Sequence, residues 1–115
     1  MAVRTKRIYE PPARGDGYRV LVDRVWPRGV NRERAAVDQW AKELAPSAEL
    51  RRWFGHKPER FDEFRRRYRD ELKAHTDELK GLRSRARKQT VTLLFGASDT
   101  EHNNAAVLAE ALRRS

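Results

Sequence analysis

The chain contains no cysteine among its 115 residues, which excludes disulfide bonds and thiolate metal sites. It also lacks an apolar run long enough to cross a bilayer, and residues 1–7 hold no apolar signal region. A cytoplasmic protein that makes no membrane contact is therefore expected. A chain of this length has room for one domain, residues 1–115, with one hydrophobic core.

Several chemical signatures are missing as well. The six glycines form neither a phosphate-binding loop nor a dinucleotide fingerprint. Asp99 and His102 stand three residues apart, but no second histidine follows at metal-ligand spacing. There is also no serine elbow that would present a nucleophile. We therefore expect no metal and no cofactor, and the sequence does not decide whether the protein is an enzyme.

Positive charge, in contrast, is plentiful. The formal net charge is +9, and 37% of the residues are charged. A basic surface attracts polyanions such as nucleic acid, nucleotides or anionic lipid. One hypothesis is thus a nucleic-acid-binding accessory protein, although no known nucleic-acid motif is visible; another is a structural or protein-interaction domain without catalysis. The basic side chains of the first hypothesis are Arg65, Arg66, Arg67, Arg69, Arg83, Arg85, Arg87 and Lys88.

Three segments are predicted as strands of a small, largely parallel sheet. Residues 19–24 contain the apolar run of a buried strand, and residues 90–95 form a second such strand. These two should be parallel neighbours. Residues 3–9 alternate in polarity and indicate a strand near an edge. The direction of this strand stays open, because the loop after it is short for a parallel crossover.

About five helices should cover the sheet and complete an α/β fold. Apolar residues spaced three and four apart predict helices over residues 31–44, 48–54, 58–72 and 76–88, and from about residue 100 to the C-terminus. Ser47 is the expected N-cap of the second helix, and Ser98 or Asp99 that of the last. Four residues of the third helix share one stripe and should pack inward: Phe61, Phe64, Tyr68 and Leu72.

Polar residues follow both core strands where each strand ends. Ligands bind at the carboxyl edge of open α/β sheets, so these residues are candidates for a site. Arg24 and Arg28 would hold an anionic group, and Trp26 would stack on a ring or form a wall. Asp23 would orient the ligand or move a proton. An equally weighted interpretation makes Asp23 a structural partner of arginine and places Trp26 in the core.

The second cluster surrounds His102, whose ordinary pKa near neutrality suits general acid–base chemistry. If the core strands are parallel neighbours, both clusters form one concave patch that contains an Asp–Arg salt bridge. The catalytic candidates are Asp23, Asp99 and His102. The candidates for ligand binding are Arg24, Trp26, Arg28, His56, Ser98, Glu101 and Asn103. The favoured prediction is a site for a small anionic ligand, phosphate-like or nucleotide-like.

Four stretches together resemble a known family. They are residues 16–29, which run from Asp-Gly-Tyr to Pro-Arg-Gly, and residues 44–47, 50–56 and 99–103. They resemble the YeaO-like branch of the domain-of-unknown-function-488 family. That resemblance implies a small α/β domain of the bacterial and archaeal cytosol and implies no particular reaction. Longer branches often carry Cys-His-Arg where this chain has Asn103, Asn104 and Ala105, so thiol or metal chemistry does not carry over.

Overall fold

A computed structural model describes residues 1–114. Its strands form one four-stranded parallel sheet. The strands are β1 (Val3–Arg7), β2 (Tyr18–Leu21), β3 (Gln39–Trp40) and β4 (Val91–Phe95), in the order β1-β4-β2-β3. The predictions of an α/β fold and of parallel pairing between the two core strands, β2 and β4, are confirmed. β1 lies at an edge, as predicted, and runs parallel to β4.

The helices are α1 (Arg32–Ala35), α2 (Ala48–Phe54), α3 (Phe61–Leu72), α4 (Thr76–Ala86) and α5 (Asn104–Arg113). α2 begins where predicted, because the Ser47 hydroxyl accepts a hydrogen bond from the Leu50 N–H at 3.1 Å. The prediction of three strands and about five helices is wrong. The described chain has four strands and four helices longer than a single turn, since α1 has only four residues.

The prediction fails at residues 31–44, where a single short helix was expected. After the single turn of α1, Ala36 adopts a left-handed conformation with φ of 50°, which ends the helix. The chain then joins the edge of β2: the Asp38 N–H donates to the Arg19 carbonyl, and the Asp38 carboxylate accepts from the Arg19 N–H, both at 2.9 Å. Backbone pairing with a distant strand thus outweighs the helical spacing of the apolar residues.

Each face of the sheet carries its own apolar cluster. Helices α2 to α5 cover one face, and the inward stripe of α3 is buried there as predicted, with Tyr68 fully buried. On the other face Ile8, Leu21 and Leu94 pack against Trp26 and other side chains of the segment between β2 and β3. The four longer helices therefore cover one face, and the other is covered by the segment between β2 and β3, which includes the single turn of α1.

The loop between β1 and β2 passes over β4 and is fixed there by Asp16. The Thr92 hydroxyl donates to the Asp16 carbonyl at 2.7 Å. The Asp16 carboxylate is fully buried and pairs with Lys6 of β1 at 3.0 Å and with Arg19 of β2. Burial opposes its ionisation, but the Ala13 N–H and the two cations outweigh burial and hold the pKa of Asp16 below its ordinary value. This ion pair network allows a short parallel crossover.

Candidate functional site

A cavity of about 410 Å³ opens at the carboxyl ends of β1, β2 and β4. Its size is within the range of pockets that hold small ligands. The predicted site residues that line the cavity are Asp23, Arg24, Trp26, Arg28, His56 and Asn103. The remaining predicted residues, Ser98, Asp99, Glu101 and His102, lie outside its lining, in the turn between β4 and α5. The cavity therefore brings Asn103 of the second cluster together with the first cluster, but leaves Asp99 and His102 outside its lining.

Asp23 stands at the end of β2 and is held by two neutral donors. Its Oδ2 accepts from the Gly96 N–H at 2.9 Å, and its Oδ1 accepts from the Asn104 amide at 3.2 Å. Burial raises the pKa of Asp23, and these bonds and the positive charges of Arg51 and His56 offset that rise only in part. The prediction of an Asp–Arg salt bridge is wrong: within residues 1–114 no arginine or lysine nitrogen lies within 4.0 Å of this carboxylate.

Gly96 has a specific reason to be glycine. A Cβ atom at this position would lie 3.1 Å from Asp23 Oδ2 and 3.7 Å from the Pro27 side chain. The missing side chain makes room for the Asp23 carboxylate.

Three arginines line the cavity, and they differ in what they already bind. Arg24 donates to the Pro46 carbonyl at 3.1 Å and to the Ala45 carbonyl at 3.4 Å, so its guanidinium is tied to the chain. The side chains of Arg28 and Arg51 are exposed and make neither a hydrogen bond nor an ion pair with any described residue. Two guanidinium groups at the cavity therefore have their donors available.

The loop after β2 is fixed by its own aromatic residue and by β1. The Trp26 indole N–H donates to the Val30 carbonyl at 2.9 Å, and its ring packs edge-on against Trp40 at a centroid distance of 5.3 Å. The Tyr9 hydroxyl donates to the Arg28 carbonyl at 3.0 Å. Trp26 thus lines the cavity and also packs against the smaller apolar cluster, while its role in stacking on a ligand stays a prediction.

His102 pairs with Asp99 in the turn that precedes α5. Its Nδ1 lies 2.9 Å from Asp99 Oδ2, and its ring packs edge-on against Phe61 at 5.2 Å. Backbone N–H groups of His102 and Glu101 donate to the other carboxylate oxygen and lower the pKa of Asp99. Among residues 1–114, no arginine forms a hydrogen bond or an ion pair with this Asp99–His102 pair. A catalytic role for Asp99 and His102 stays a prediction.

Asn103 caps α5 and uses both ends of its amide to do so. Its Oδ1 accepts from the Ala106 N–H at 2.8 Å, and its Nδ2 donates to the Asp99 carbonyl at 2.9 Å. The predictions of Ser98 or Asp99 as the N-cap and of a helix from about residue 100 are therefore wrong. Asp99 closes its own turn, and α5 begins at Asn104. His56, which also lines the cavity, is exposed and has a left-handed φ of 57°.

Three lining residues with polar side chains were not predicted, namely Tyr9, Arg51 and Asn104. To predict Tyr9 as a lining residue one needs the direction of β1, which the sequence left open. Arg51 had a local signal, because it precedes Phe54 by three residues and therefore shares a helical face with it. Asn104 had none: its amide reaches back 82 residues to the Val22 carbonyl at 2.9 Å.

The basic residues of the nucleic-acid hypothesis are largely engaged with the chain itself. Ion pairs join Arg65 and Arg69 to Glu110, and Arg66 and Arg67 to Glu63. The hypothesis is untested by these contacts and stays a prediction.

Across residues 1–114 no three side chains of a metal-binding type converge. None of the helices in that range has the length and apolar character needed to cross a bilayer.

Comparison with known proteins identifies the family. The family model described as "Inactive DUF488-N3 subclade", DUF488-N3i, matches residues 2–115. The chain belongs to this family. The DUF488-N3i chain is 46% identical to uncharacterized protein YeaO of Escherichia coli K12 over 113 residues, 98% of each chain. It is 44% identical to uncharacterized protein Rv3073c of Mycobacterium tuberculosis H37Rv over 110 residues, 96% of this chain and 92% of the relative. The predicted resemblance is thereby confirmed, and no solved structure matches the chain.

Proposed function

We propose that this DUF488-N3i protein binds a small phosphate-bearing anion in the cavity at the carboxyl edge of the sheet, without transforming it. The observation that carries the proposal is the pair of arginines, Arg28 and Arg51, which line the cavity and whose guanidinium groups have no partner among residues 1–114. A guanidinium presents several donors in a planar fork that matches phosphate oxygens. The surrounding loops already hold their shape, which lowers the entropic cost of binding.

Two features favour binding over catalysis. The pair best suited to move protons, Asp99 and His102, lies outside the lining of the cavity. The family's printed description is also that of an inactive subclade. A carboxylate, Asp23, does face the cavity, but it has no nucleophile or histidine hydrogen-bonded to it in the described chain. Binding alone therefore accounts for the groups that are present.

The experiment measures binding of inorganic phosphate, glucose 6-phosphate and AMP by thermal shift and calorimetry, with sodium chloride at matched ionic strength as the control. Arg51→Ala should weaken the best of these probes by at least about tenfold, the usual effect of losing a charge-assisted hydrogen bond. Arg52→Ala is the matched control, because Arg52 is the next residue of α2, is exposed, and does not line the cavity.

The outcomes separate clearly. Binding that depends on Arg51 and Arg28 but not on Arg52 supports the proposal. The proposal is overturned if no phosphate-bearing probe raises the melting temperature above the salt control. Equal losses in the Arg51→Ala and Arg52→Ala variants would also overturn it, because they would indicate attraction by net charge alone.

A further inference from the structure

The cavity that the arginines line also contains a carboxylate without a cationic partner. Asp23 accepts one hydrogen bond at each oxygen, from the Gly96 N–H and the Asn104 amide, and both donors are neutral. A carboxylate oxygen can accept more than one bond, so each retains acceptor capacity. A negative charge beside an anion site repels the anion unless a positive group lies between them.

We infer that the ligand carries a protonated nitrogen as well as its anionic group, and that Asp23 binds the nitrogen while Arg28 and Arg51 bind the anion. This inference rests on the proposed function and specifies the class of ligand: a small molecule with an amino group a few bonds from a phosphate. Such a molecule satisfies both signs of charge in one cavity and removes the repulsion.

The groups around Asp23 explain why the chain itself does not neutralise it. Arg24 is directed to the carbonyls of Ala45 and Pro46 and is held there by two hydrogen bonds. Arg51 and His56 influence the carboxylate through their charge but lie beyond ion-pair distance. Burial raises the pKa of Asp23 in spite of them. A desolvated carboxylate without a cation gains more from a charged donor than an exposed one does.

Gly96 adds a second, independent geometric argument. The absence of a side chain at this position allows the carboxylate to lie against the end of β4, where a Cβ would be only 3.1 Å from Oδ2. That placement fixes the direction of the carboxylate with hydrogen bonds from the ends of β4 and α5. A carboxylate fixed in this way is preorganised to receive a donor from the cavity.

The test compares 2-aminoethyl phosphate with 2-hydroxyethyl phosphate, two probes of nearly the same size that differ in the charge of one terminal group. Calorimetry on the full chain should show the amino probe binding about tenfold more tightly, the effect expected for one charge-assisted hydrogen bond. In Asp23→Asn this preference should disappear, and the hydroxyl probe should bind at least as tightly as it does to the wild-type protein, because the repelling charge is gone. Arg51→Ala should weaken both probes by a similar factor.

The results distinguish this inference from the proposed function. Equal affinity of the wild-type protein for the two probes overturns the inference and leaves the phosphate site intact, provided both need Arg51. Failure of every phosphate-bearing probe to bind overturns the proposed function itself. A preference that survives in Asp23→Asn also overturns the inference. The wild-type comparison decides the matter even if Asp23→Asn does not fold.

Discussion

Two aspartates of this protein, Asp16 and Asp23, lie just before and just after strand β2 and have opposite electrostatic surroundings. Asp16 lies on the face of the sheet, fully buried, and binds Lys6 and Arg19. Asp23 lies at the carboxyl edge, partly buried, and has no ion pair. The pKa of Asp16 is accordingly lowered and that of Asp23 is raised.

The difference separates a structural carboxylate from a candidate functional one. The ion pairs of Asp16 fix a crossover between β1 and β2, and no cavity reaches this carboxylate among those described. Asp23 accepts hydrogen bonds only from neutral donors, and it lines the cavity. An ionisable group that the fold does not neutralise, in a cleft, is a typical feature of a binding or catalytic site.

The largest expected effect tests the structural half of the comparison. Asp16→Asn removes the charge that neutralises Arg19, whose side chain is only 4% exposed. Removing one partner of a buried ion pair typically costs about 3–5 kcal/mol of unfolding free energy. Urea denaturation at pH 7 should show a loss of that size. Asp62→Asn is the control, because Asp62 also pairs with an arginine but is 99% exposed. A loss no larger than in the control would contradict the structural role of Asp16.

A smaller effect tests the packing around Asp23. Gly96→Ala places a methyl group against the carboxylate and should lower the unfolding free energy by about 1 kcal/mol, as overpacking does. Gly81→Ala is a matched control within α4, where an added Cβ meets nothing within 4 Å. That substitution should stabilise by about 0.5–1 kcal/mol, the helical advantage of alanine over glycine. Equal changes in the two variants would show that Gly96 is not kept free for Asp23.

The sequence predicted the elements that local chemistry determines. The bounds of α2 followed from the Ser47 cap and from Gly55, which adopts the left-handed conformation at the helix end. The inward stripe of α3 followed from its spacing. β4 followed from a run of apolar residues that admits few alternatives, and all five of its residues are buried.

What the sequence missed depends on contacts between distant residues. β3 forms because Asp38 makes hydrogen bonds to the backbone of Arg19, and no local pattern within residues 31–44 predicts this strand. The role of Asp16 depends on Lys6 and Arg19 from two different strands. At the candidate site the residue types after β2 were predicted from the strand ends, but their partners were not. Asp23 was paired with arginine on general grounds, whereas Gly96 and Asn104, far along the chain, bind it.

The pH dependence of stability should have opposite signs for the two aspartates. The folded pKa of Asp16 is lowered, so its contribution is present above the ordinary value near 3.8 and is lost as pH falls through the folded pKa. The folded pKa of Asp23 is raised, so its contribution is present below that value and is lost as pH rises through the folded pKa. As pH rises, the unfolding free energy of the wild-type protein should therefore increase relative to that of Asp16→Asn. Relative to that of Asp23→Asn it should decrease. Denaturation from pH 3 to pH 7 measures both slopes, and slopes of one sign would contradict the assignment.

The smallest expected effect concerns ion pairing without burial. Glu63 of α3 binds Arg66 at 2.7 Å and Arg67 at 2.9 Å, and these hydrogen bonds lower its pKa to about 2, yet its side chain is 39% exposed. Exposed pairs contribute little, because water screens them in the folded state. Glu63→Gln should leave the urea midpoint at pH 7 unresolved from wild type, although NMR titration of the Glu63 carboxyl should give a pKa far below the usual glutamate range. Any contribution is present at neutral pH and disappears as pH falls towards 2. If Glu63→Gln instead lowers the unfolding free energy as much as Asp16→Asn does, ion pairing alone, without burial, would account for the difference between Asp16 and Asp23.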